Sequence, residues 1–248
     1  MARNSFSCIA ALATALIIAL PGSAFAETVS ITPPVELTDD AIPGQQMNPS
    51  SVVFEDVLYV FWASNSAETP IGSDFDITYS TYDGTEWSQN IVITANDTGN
   101  DHTPKPVIFR DSLYLLWSST NPAITGSSDA DIVVSTLSGN TWSAPLSVTS
   151  EFNSTGDYDP FPVVYGGELH IFFECFSPQS SHYEIGHAVL SDTWGSPNYM
   201  TENSTGHNLN PTAAVAEQSL VLAWESSSSS LTGSADRAII SKVLTGNQ

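Results

Sequence analysis

Cysteine is nearly missing from these 248 residues: there are two, Cys8 and Cys175. Cys8 lies in a leader described below, so a processed chain keeps one thiol, which excludes an intrachain disulfide and any Cys-x-x-Cys metal site. Cations are as scarce, with five Lys and Arg against 27 Asp and Glu and a formal net charge of −22. Phosphate binding relies on clustered Lys and Arg, so no nucleic acid and no anionic lipid surface is expected as a partner. Because only 13% of residues are charged, the imbalance is a shortage of lysine more than a block of acids. Beyond residue 26 no apolar run approaches the roughly eighteen residues of a bilayer span, and no membrane insertion is expected. Also missing are a Gly-x-Ser-x-Gly elbow, a Ser-His-Asp order and a phosphate-binding glycine loop. His182 and His187 stand five apart on one strand, which puts them on opposite faces, and His102, His170 and His207 are scattered, so no zinc pattern emerges. No cofactor is required by any motif.

The chain does carry an export leader. Arg3 precedes an apolar run, and Ala24-Phe25-Ala26 places small residues where a signal peptidase needs them. Residues 1–26 read as a removed signal peptide and 27–248 as one secreted domain, extracellular or at the cell surface, and periplasmic in a Gram-negative cell. At 41% hydrophobic the chain can bury one substantial core. A monomer is expected.

Internal repetition decides the fold class. Aligning Pro49, Pro104, Pro160 and Pro211 reveals four units spaced 51 to 56 residues apart. Each opens with two strands joined by a short turn, at Glu55-Asp56, Arg110-Asp111, Gly166-Gly167 and Glu217-Gln218. A loop rich in Ser, Gly and Asp leads to a third strand, and the first three units add a fourth. Four antiparallel strands repeated about every fifty residues predict an all-β, four-bladed β-propeller with blades near 48–94, 103–149, 159–201 and 210–245. The last unit ends without its fourth strand. Residues 30–38, within "ITPPVELTDDAIPGQQMNP", match "WSAPLSVTSEFNSTGDYDP" in proline placement and Val/Leu alternation. An N-terminal strand is therefore expected to close the last blade, since an unpaired edge is a hazard. Trp87, Trp142 and Trp194, with Trp62, Trp117, Phe173 and Trp224, read as glue between sheets.

Asp83-Gly84 and Ser138-Gly139 sit in tight turns between third and fourth strands, where Gly supplies a positive φ. The stretch Ser80-Thr81-Tyr82-Asp83-Gly84-Thr85-Glu86-Trp87 resembles the hairpin motif of the BNR or Asp-box repeat family, the sialidase-like β-propellers. That resemblance implies the propeller architecture and a structural hairpin away from any active site. Sialidases of this type hold a carboxylate with three arginines. Only Arg110 and Arg237 follow the leader here, so sialidase activity is disfavoured.

The long loops, after second and fourth strands, emerge on one face, and binding concentrates on such loops. Asp101, His102, Asp157, Tyr158, Asp159 and Asn210 precede or begin the first strands and are expected to ring the channel mouth. Asp74, Asp76, Asp129 and Asp131 begin third strands, beside Glu184, and offer hard oxygen ligands for a candidate Ca²⁺. The same residue types suit Asx turns. Two function classes follow. One is a non-catalytic module binding a glycan or an extracellular protein. The alternative is a glycoside hydrolase using paired carboxylates, with Asp159, Glu174 and Glu225 as candidates. Asp159-Pro160 at the start of an inner strand resembles five-bladed glycosidases, and a strand cap explains the same pair. Asn96, Asn153 and Asn203 begin glycosylation sequons in equivalent loops.

Overall fold

The computed structural model describes residues 32–38, 43–66, 74–95, 98–152 and 154–245. The leader, Asn96 and Asn153 lie outside them. Contacts divide the chain into two compact units, residues 1–35 and 36–248. Of the first, residues 32–35 are described and form no strand; all that follows concerns the second.

The second unit is all-β, with four successive antiparallel sheets. The first holds β1 (Gln46–Phe54), β2 (Val57–Ser64), β3 (Asp76–Tyr82) and β4 (Ile91–Val92). The second holds β5 (Asp101–Phe109), β6 (Ser112–Ser119), β7 (Asp131–Ser138), β8 (Thr141–Trp142) and β9 (Leu146–Ser147), the last pairing with β7. The third holds β10 (Asp157–Tyr165), β11 (Glu168–Ser177), β12 (His182–Leu190) and β13 (Asn198–Tyr199). The fourth has three strands, β14 (Asn208–Ala216), β15 (Ser219–Ser226) and β16 (Ala238–Thr245). Single-turn helices α1 (Pro122–Thr125) and α2 (Ser229–Thr232) interrupt two of the long loops.

Chemistry local to each turn explains the hairpins. Glu55 and Asp56, Arg110 and Asp111, and Gly166 and Gly167 all have positive φ, as two-residue turns matched to strand twist require. In the Asp83-Gly84 hairpin, the Asp83 carboxylate accepts from the backbone N–H of Thr85 and Glu86 at 2.8 and 2.9 Å. These bonds, with one from the Thr85 hydroxyl as the largest contribution, hold its pKa down at about 2.

Apolar faces of neighbouring sheets then lock together. Phe61, Ile77, Leu115 and Trp117 join the first sheet to the second, with Trp142 packed at the edge. Leu116, Ile132, Ile171 and Phe173 join second to third, and Phe172, Ile185, Leu222 and Trp224 join third to fourth. Each fully buried side chain of this size contributes about 1.5–3 kcal/mol. Strands β1, β5, β10 and β14 pack side by side in that order. Four such sheets fit the propeller plan.

Closure of a four-blade ring is where the structure departs from expectation. Among the described residues no apolar cluster joins the fourth sheet to the first. Ile239 and Val243 on the fourth sheet's free face are 74% and 57% exposed. Residues 32–38, the described part of the expected closing strand, form no strand, and residues 30–31 fall outside the described set.

Candidate active site

Each first strand carries the same irregularity. The register slips between Met47 and Ser50, His102 and Lys105, Tyr158 and Phe161, and Leu209 and Thr212. Two residues oppose one there, which defines a β-bulge. Its first extra residue is Asn48, Thr103, Asp159 or Asn210, at φ of 54°, 54°, 49° and 53°, and the second is the repeated proline. Proline suits a bulge because it needs no ladder partner. A non-glycine residue at positive φ, above all β-branched Thr103, is strained by about 1–3 kcal/mol, and such strain concentrates at functional sites.

Two of the bulges are capped from the neighbouring sheet. Ser118 Oγ accepts from Asp159 N–H at 3.2 Å, and Glu174 Oε1 accepts from Asn210 N–H at 2.6 Å. Ser118, Glu174 and Glu225 sit at one level of successive second strands, opposite His102, Tyr158 and Leu209. Glu225 instead accepts from Arg237 Nη1 at 2.8 Å.

This construction gathers the three carboxylates weighed for glycoside hydrolysis. Burial, followed by the charges of Asp159 and Glu225, pushes Glu174 up to about 7, against the pull of the Asn210 N–H. Around them stand aromatic groups. Burial raises Tyr183, with further contributions from the charges of Glu174 and Asp159, and its ring contacts Phe176, His207 and Tyr158 at 5.3, 5.7 and 6.2 Å. The His102 ring lies tilted against Phe75 with centroids 4.7 Å apart, its pKa lowered by burial and raised in part by Asp159.

Other candidates serve the framework. Asp101 is fully buried and accepts from Trp117 Nε1 at 2.9 Å; Asn208 does the same for Trp224 at 3.0 Å. At the matching position of the third sheet Phe173 has no donor, and Asp157, also fully buried, accepts from Ser154 Oγ at 2.7 Å. Burial pushes Asp157 up to about 7. Asp101 and Asp157 are therefore interior groups, whereas His102, Tyr158 and Asp159 are half-buried and Asn210 is exposed.

The candidate calcium residues divide as well. Asp76 accepts from Thr94 Oγ1 at 3.1 Å and Asp131 from Ser147 Oγ at 3.0 Å, both buried. Glu184 accepts from Thr201 Oγ1 and Ser204 Oγ, each at 2.7 Å. These acids tie third strands to the segments after them, while Asp74 and Asp129 stay nearer the surface. Among the described residues no group of three such side chains could hold a metal ion. Asn203 is exposed.

Sequence reasoning missed Ser118, Tyr183 and Arg237. A usable signal existed for the level itself: the residue after the aromatic in each second strand is Ala63, Ser118, Glu174 or Glu225.

No family model and no curated protein matches the chain. Solved structures do. The endo-arabinase from Bacteroides thetaiotaomicron aligns with TM-score 0.56 at 16% identity, over 85% of this chain and 79% of that one. A family 117 glycoside hydrolase from the marine bacterium Zobellia galactanivorans gives 0.53 at 15%, over 82% and 70%. The alpha-L-arabinofuranosidase from Lactobacillus brevis gives 0.53 at 14%, over 80% and 72%. At such identities the likeness establishes a shared fold. It also corrects the expectation of a non-catalytic binding module, since the three structures just named are glycoside hydrolases.

Proposed function

We propose that this chain is an extracellular glycoside hydrolase acting on polysaccharide, with Glu174 as proton donor and Asp159 as its partner carboxylate. The observation that carries this reading is the meeting of Asp159, Glu174 and Glu225, contributed by adjacent sheets, with Glu174 itself buried. A glycosidic oxygen leaves readily only when protonated, and a carboxylic acid kept neutral near pH 7 supplies that proton. Glu174 has the required division of labour: Oε1 is held by the Asn210 N–H, leaving the other oxygen to carry and give the proton. Asp159, aimed by its bulge, faces the opposite role of base or nucleophile. Arg237 anchors Glu225, whose charge helps keep the Glu174 proton in place. Tyr158, Tyr183 and His207 offer ring faces on which a sugar can stack.

Two of the solved structures with this fold are named for arabinose-containing substrates, so arabinan is the first polymer to try. The test is release of reducing ends from arabinan, xylan, galactan and agar by the purified protein, repeated with Glu174→Gln. Release by the wild type and its loss in the folded variant support the reading. A folded wild-type protein that releases nothing across the panel contradicts it.

A further inference from the structure

Among the described residues the fourth sheet ends on β16, where the other three sheets carry one more strand. In those three the addition is built identically. Thr78 pairs with Val92, Val133 with Ser147 and Gly186 with Tyr199. One residue later, Ile93, Val148 and Met200 donate their N–H to the carbonyls of Ile77, Ile132 and Ile185, at 2.7 to 2.8 Å. A threonine follows, and Thr94, Thr149 and Thr201 each accept through Oγ1 the N–H of that same isoleucine at 2.9 Å. By register the matching isoleucine of β16 is Ile239, because Ala238 opposes Ser226 as Asp76 opposes Ser64 and Asp131 opposes Ser119.

Along this edge runs a cleft of about 390 Å³ walled by Met200, Trp224, Leu231, Ile240, Ser241 and Lys242. Lys242 makes no ion pair among the described residues. One segment elsewhere in the chain repeats the pattern Ile91-Val92-Ile93-Thr94 and Leu146-Ser147-Val148-Thr149: Val35-Glu36-Leu37-Thr38. Glu36 is exposed and Leu37 and Thr38 are half-buried, none of them in a strand.

We propose that Glu36–Thr38 is a strap that closes onto β16 as its fourth strand. In the closed state Glu36 lies opposite Ile240, on the same face as Val92, Ser147 and Tyr199 in the other sheets, and its carboxylate enters the cleft beside Lys242. Leu37 N–H donates to the Ile239 carbonyl, and its side chain covers the exposed Ile239. Thr38 Oγ1 accepts the Ile239 N–H. The match is incomplete at one point: Ala238 replaces the acid that receives the threonine hydroxyl in the other sheets. The addition satisfies an edge that would otherwise invite pairing with another chain.

Amide hydrogen exchange of the full-length protein tests the strap without reference to any substrate. The expected result is an Ile239 amide as protected as that of Ile185. Leu37→Pro removes the donor and should accelerate exchange at Ile239 by roughly a hundredfold or more while sparing Ile185. Fast exchange at Ile239 in the intact chain, or an unchanged rate in Leu37→Pro, overturns the proposal. So does protection that disappears on dilution, which would assign the strand to a second copy. As a second check, Glu36→Lys should lower the melting temperature, and adding Lys242→Glu should restore it. Strictly additive effects would overturn the pairing of these two side chains.

Discussion

Replacing Glu174 by Gln should stabilise the fold at high pH while abolishing catalysis. Burial and two neighbouring carboxylates lift this side chain from an ordinary 4.5 to about 7. At about 1.4 kcal/mol per pKa unit, its ionised form costs the folded state about 3 kcal/mol. The raised value means the folded chain keeps a proton that the unfolded chain releases between pH 4.5 and 7, so stability falls as pH rises through that window. Glutamine has the same shape, carries no charge, and its carbonyl oxygen can still accept from Asn210 N–H, now at 2.6 Å. The variant should match the wild type at pH 4.5 and exceed it by about 2–3 kcal/mol at pH 8. For a unit near 200 residues that is about 5–10 °C in Tm. Urea or thermal unfolding of both proteins at the two pH values measures it. The difference between them cancels Asp131 and Asp157, which burial pushes to about 6 and about 7. A variant no more stable than wild type at pH 8, or equally stabilised at pH 4.5, would refute the reasoning.

Two further predictions concern the framework. His187 stacks on Phe172 and meets His170 at 3.0 Å, and burial, then His170, lowers its pKa to about 4. Below pH 6.5 the unfolded chain takes up a proton that the folded chain refuses, so the His187 contribution to stability falls by up to about 3 kcal/mol from pH 7 to pH 4, opposing the slope set by Glu174, Asp131 and Asp157. His187→Gln should remove that contribution in a pH series of denaturation curves; an unchanged slope assigns it elsewhere. Trp117→Phe removes the indole donor to buried Asp101 and should cost about 1–3 kcal/mol. Trp224→Phe should cost less, because Asn208 keeps bonds to Glu184 and Ser204 through Nδ2, and equal losses would argue against this distinction.

The repeat was legible because hairpin turns and alternating strands are written locally. Paired turn residues, the prolines and the aromatic ending each second strand sufficed to place four sheets. The bulges were hidden, since a residue before proline ordinarily avoids positive φ, and only adjacent strands reveal the slip at Asp159. Burial was the other blind spot. Asp101 and Asp159 both sit near the start of an inner strand, yet one bonds an indole inside the sheet and the other faces its neighbours' carboxylates. Register, not residue type, separates them. Glu174 was recognisable as a candidate, whereas its environment depends on Asn210 and Glu225 from the next sheet. The absence of a third arginine argued against a sialidase on paper, but the repeat pattern does not report how carboxylates from three strands converge.

The most direct measurement of the central claim compares leaving groups. Wild type and Glu174→Gln should be assayed on an arabinooligosaccharide, whose leaving alcohol needs a proton, and on a 4-nitrophenyl arabinofuranoside, whose leaving group does not. A proton donor at Glu174 predicts a loss of roughly 10²–10⁴ in kcat/KM on the oligosaccharide and a much smaller loss on the aryl glycoside. Equal losses on both, or an active Glu174→Gln enzyme on the oligosaccharide, would contradict the account.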